Sequence, residues 1–126
     1  MNEIVQKIRQ IEQDLSTEKG QFDLFGVFLR EDAPDVWDVV VAGSWIEADK
    51  AEALRKISGT LQQRLTPSEL TKLARVVIID ESNPALRAIA NAVGVEHGNV
   101  PVKDSNFFGL AIKEAFIITS RIRSAA

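Results

Sequence analysis

Asp49, Asp80, Glu81 and Ser82 are the side chains of this sequence best suited to chemistry, and they stand in two stretches, "SWIEADK" and "IIDES". Carboxylates beside a hydroxyl form an oxygen donor set that suits Mg²⁺, a hard cation, and such a site serves phosphoryl or phosphodiester chemistry. The same residues have a plainer use. Asp80, Glu81 and Ser82 precede a helix pattern, where side-chain oxygens cap free amides or face the helix N-terminus without any ligand. Trp45, next to Ser44 in sequence, either seals a helix start against the core or forms the aromatic wall of a pocket or interface. These five residues are the candidate binding set, with sealing the expected use of Trp45; no catalytic residue is assigned.

Other constellations are incomplete. His97 is the single histidine, in the turn "EHGN", so a multi-histidine zinc site is excluded, and no nucleophile elbow accompanies it. It reads as a solvated loop residue. With no cysteine in the chain, disulfides, thiolate metal sites and a cysteine nucleophile are excluded. "STEK" at 16–19 lacks the companion motifs of penicillin-recognising enzymes, and the glycine-rich nucleotide loops are absent. Asp38 interrupts an apolar strand and must be exposed or paired with arginine. A nuclease would need a carboxylate-x-Lys on the next strand, which is missing. Arg121 and Arg123, with Lys103 and Lys113, form a candidate basic patch for a phosphate or an acidic partner, or else are solvated edge charges.

Composition narrows the setting. A chain of 126 residues with 45% hydrophobic and 26% charged residues has the make-up of one ordinary folded domain, spanning 1–126. The formal charge of −3 is of the wrong sign for a surface that attracts nucleic acid. No apolar run approaches the length of a membrane span, and "MNEIVQKIRQIEQDL" lacks the apolar core of a signal peptide. A soluble cytoplasmic protein is the expectation.

The candidate residues must be positioned by elements that the hydrophobic pattern delimits. Ile4, Ile8, Ile11 and Leu15 form one helical stripe, with Asn2 as a cap and Gly20 as its stop; the stripe packs on the protein's own sheet or shares in a dimer contact. "QFDLFGVFLRE" alternates apolar residues on two faces, Phe22, Leu24 and Phe28 against Phe25, Val27 and Leu29. After the Pro34 turn, residues 36–43 do the same, with Trp37, Val39 and Val41 opposite Asp38, Val40 and Ala42. Ser44 and Glu47 have the spacing of a capping box, which starts a helix running through Leu54, Ile57, Leu61 and Leu65; Thr66, Pro67 and Glu69 begin a second, short one. "RVVIID", 75–80, reads as a strand buried on both faces. Ser82 or Asn83 caps the next helix, with Pro84 first and Gly94 as its end. A weak edge strand near 100–103 and a strong strand over 113–122 complete the order.

The roughly 30-residue helical crossover between the second and third strands makes them parallel. The expected fold is α/β (or α+β): a mixed, partly parallel sheet of four to five strands with helices on both faces. Ser44 and Asp80 then emerge together at strand carboxyl ends, where such sheets gather ligands. "WDVVVAGSWIEADKAEALRKI", "KLARVVIIDESNP" and "NFFGLAIKEAFIITS" resemble the successive blocks of a family of short uncharacterised bacterial single-domain proteins with no established activity. That resemblance implies a single-domain protein and assigns no residue a role. The resulting expectation is a noncatalytic binding or regulatory module acting as a homodimer, with an unknown protein or small-molecule partner and no cofactor. The alternative is a small Mg²⁺-dependent phosphate-handling enzyme with an acidic crevice built from Asp49, Asp80 and Glu81.

Overall fold

Ile4, Ile8, Ile11 and Leu15 are buried, so the stripe lies against the protein's own core, in a helix α1 (Asn2–Glu18). The computed structural model describes residues 2–122; Arg123 of the expected basic patch and the side chain of Asn2 lie outside the described residues. Gly20, at φ 139°, turns the chain out of α1 into β1 (Leu24–Arg30), which forms a hairpin with β2 (Trp37–Ala42). Then come α2 (Ser44–Ala48), α3 (Lys50–Arg64), α4 (Pro67–Leu70), β3 (Leu73–Ile78), α5 (Pro84–Ala92), β4 (Val100–Phe107) and β5 (Leu110–Ser120).

The fold is α+β, a five-stranded mixed sheet in the order β3-β2-β1-β5-β4. Among the described residues only β2 and β3 are parallel, as the helical crossover between them requires; every other strand pairing is antiparallel. Strand alternation sorts the side chains as the sequence implies. Phe25, Val27, Val39 and Val41 join α1 and the Ala53–Ile57–Leu61 stripe of α3 on one face. Leu24, Phe28, Val40 and Ala42 meet Leu86 and Ile89 of α5 on the other. Phe22 lies before the strand and packs into the α1 face rather than with Leu24. Each fully buried aliphatic or aromatic side chain contributes about 1.5–3 kcal/mol. Among the described residues no helix is long and apolar enough to cross a membrane.

Three expectations need correction. The Ser44 capping box does not form: Gly43 is the cap residue, the Ser44 hydroxyl makes no cap bond, and the Glu47 carboxylate is drawn away to Lys50 and to the amide of Glu81. The helix begun at Ser44 also breaks at Asp49, whose extended backbone (φ −159°, ψ 91°) restarts it as α3 and whose side chain accepts from Glu52 N. The restart leaves Leu54 40% exposed. Finally, β3 is an edge strand with half-buried side chains, not one covered on both faces. By contrast the Thr66–Glu69 capping box and the Asn83–Pro84 start of α5 form as expected. β4 is the edge strand that Pro101 demands, but it runs to Phe107 and turns through Phe108 (φ 54°) and Gly109 (φ 75°) into β5.

Candidate functional site

At the carboxyl ends of β2 and β3 the chain enters α2 and the 79–83 loop side by side, and Glu47 ties the two together. One of its carboxylate oxygens accepts from Glu81 N at 2.8 Å and the other pairs with Lys50 at 3.2 Å. Asp80 accepts from the hydroxyl and the amide of Ser82, at 2.6 and 2.9 Å, and lies 3.5 Å from the Lys50 ammonium. The Ser82 bonds first, then Lys50, hold the Asp80 carboxyl below the ordinary carboxylate range. Asp49 is spent on its own helix cap. Asp80, Glu81 and Ser82 therefore share one loop, while Asp49 serves α3. Among the described residues no three histidine or acidic side chains gather as a metal would require.

Trp45 packs on this chain's own core, edge-on to Phe22 with ring centroids 5.5 Å apart. Two glycines make its slot. A Cβ on Gly20 would stand 3.2 Å from the indole Cδ1, and one on Gly43 would meet Gln21 O at 3.0 Å. The indole seals the junction of α1, β1 and α2 and lies apart from the Ser82 loop's open side.

That open side is a cleft of about 350 Å³ lined by Asp23, Glu81, Ser82, Asn83, Arg87 and Arg121, with Leu86 at its base. β5 delivers Arg121, whose Nε donates to Phe22 O at 3.0 Å and whose Nη2 lies 3.3 Å from Oδ1 of the buried Asp23. The guanidinium is thus fixed from behind, with donors to spare from its five N–H groups. Arg87 projects from the exposed side of α5 with no ion-pair partner among the described residues. Asn83 uses its carbonyl oxygen to accept from Ala85 N, which leaves its NH₂ group free to donate. Sequence patterns named Glu81, Ser82 and Arg121 but missed Asp23, Asn83's free donors and Arg87. Arg121 is separated from Lys113 by eight residues of extended strand, about 25 Å, so the expected patch of Arg121, Lys103 and Lys113 does not assemble.

A second polar cluster was not legible in the sequence at all. His97, half-buried rather than fully solvated, bonds through Nδ1 to the fully buried carboxyl of Glu12 at 2.6 Å. Thr119 Oγ1 donates to the other Glu12 oxygen at 2.8 Å and accepts from His97 N at 3.0 Å, while Arg9 Nε donates to His97 O at 2.7 Å. These bonds hold His97 at φ 54°, a conformation costly for a residue with a side chain. The arrangement clasps α1 to β5. Asp38 is buried and paired with arginine, Arg30 at 3.1 Å and Arg75 at 3.4 Å. No family model, curated protein or solved structure matches the chain.

Proposed function

We propose that this protein is a noncatalytic binding module that receives an anionic group, a carboxylate or phosphate of a small molecule or peptide, in the cleft between the start of α5 and the end of β5. The observation that carries this reading is the convergence of Arg87 and Arg121 on that cleft, with Arg121 immobilised by buried Asp23 and Phe22 O. A guanidinium already held in place loses little rotamer entropy on meeting a ligand, and its planar fork matches a carboxylate or phosphate. The α5 amides are not the attraction, because Ala85 N and Leu86 N are already bonded to Asn83. Side chains do the recognising.

Titration of the ¹⁵N-labelled chain with inorganic phosphate and with succinate tests this. Saturable shifts centred on Ser82, Asn83 and Arg87 are expected, and Arg87→Gln, which removes one charge-assisted contact of about 1.4 kcal/mol, should weaken binding about tenfold. Shifts that never saturate, or an Arg87→Gln variant that binds as the parent does, would overturn the reading.

A further inference from the structure

The cleft between α5 and the end of β5 is not simply basic. Among the described residues its charged lining is Arg87 and Arg121 against Asp23 and Glu81, two groups of each sign. The acids differ in place. Asp23, its side chain 7% exposed, stands behind Arg121 at 3.3 Å and fixes that guanidinium. Glu81 is exposed on the loop that leads into α5, where its amide donates to Glu47. A carboxylate has lone pairs for about four hydrogen bonds, so contacts within the fold do not exhaust it. The uncharged part of the lining also has two characters. Ser82 and the Asn83 amide are polar, whereas Pro84, Leu86 and Ile122 are aliphatic, and Ile122 is 49% exposed. The volume, about 350 Å³, falls within the range of small-molecule sites and leaves room for a body beyond an anionic group.

Resting on the anion reading above, we infer that the cleft takes a free α-amino acid with a branched aliphatic side chain. The carboxylate meets Arg87, Arg121 and the Asn83 NH₂ group, the ammonium meets Glu81, and the side chain covers Leu86 and Ile122. Charge balance favours this occupant over a phosphate. A dianion would gain two guanidiniums but face two carboxylates within the same walls, whereas a zwitterion gives each sign an opposite neighbour. Burial of the aliphatic side chain adds apolar area that a bare anion lacks.

Titration calorimetry of the full chain with leucine, isocaproate, glycine, succinate and phosphate tests this. Isocaproate is leucine without its amino group. Leucine should bind saturably and isocaproate about tenfold more weakly, the loss of one charge-assisted contact. Glycine, with no side chain to bury, should be weaker than leucine by about tenfold or more. Glu81→Gln keeps the backbone amide that bonds to Glu47 and should bring leucine down to the affinity of isocaproate, while succinate binds no more weakly than to the parent. Isocaproate binding as tightly as leucine, or Glu81→Gln binding leucine as the parent does, overturns the inference and leaves the anion reading standing. So does saturable binding of succinate or phosphate where leucine shows none. If leucine, succinate and phosphate all fail to saturate, the anion reading falls and this inference falls with it. The ligand comparison on the parent chain decides even if Glu81→Gln does not fold.

Discussion

Replacing Glu12 by alanine should destabilise the protein by about 2–4 kcal/mol, and the figure can be assembled from the clasp. Glu12 is fully buried and bonds to His97 and to Thr119. Truncation deprives the Thr119 hydroxyl, 2% exposed, of its acceptor, which costs about 1–3 kcal/mol for a buried group. The imidazole is easier to appease, since 34% of its side chain reaches solvent and water can replace the lost oxygen; its share is the smaller, about 1 kcal/mol. Relief from burying a carboxyl group and the cavity that truncation leaves act in opposite directions, so the sum stands. For a chain of this size each kcal/mol lowers the melting temperature by about 3–5 °C. Urea and thermal unfolding of Glu12→Ala, Thr119→Val and the double variant would measure the effect. A coupling energy of about 1 kcal/mol between the two sites is expected. A neutral or stabilised Glu12→Leu would refute the argument, because burial cost would then exceed everything the clasp returns.

Ser44→Ala should leave the melting temperature almost unchanged, whereas Asp49→Ala should cost about 1 kcal/mol by uncapping α3; thermal unfolding of both variants separates the two capping schemes. The Glu69 carboxyl is held below its ordinary value, first by the Thr66 amide and then by Lys7. A folded-state value lowered in this way adds stability above the ordinary value of 4.5, and that stability is lost as pH falls through the folded one. Glu69→Gln should accordingly flatten the acid limb of a melting-temperature profile below about pH 5 and leave its neutral limb parallel to the parent's.

What the sequence discloses here is set by the range of each interaction. The Thr66–Glu69 box closes within four residues, and no outside group competes for either partner beyond Lys7, so its spacing suffices to find it. Ser44 and Glu47 have the same spacing and fail, because Lys50 and the amide of Glu81 offer Glu47 better partners; the second of these is brought up only by β3. Alternation in β1 and β2 revealed which face each side chain takes, since the pleat is local. It could not reveal that β3 is an edge, because β-branched residues suit edge and centre alike and position depends on which strands pair. In the cleft, Ser82 and Glu81 stood out through loop chemistry. Asp23 and Arg87 did not, since only the fold brings the end of β5 to the start of α5.

The clasp also sets a timetable for synthesis. Glu12 and Thr119 are 107 residues apart, and β1 lies between its hairpin partner β2 and β5, which is made long after both. A nascent chain can therefore close the β1–β2 hairpin early while the other border of β1, next to Phe25 and Phe28, waits for β5 to emerge. Until then an apolar strand with open backbone groups is available to any passing chain, the circumstance in which aggregation competes best with folding and a holdase has most to offer.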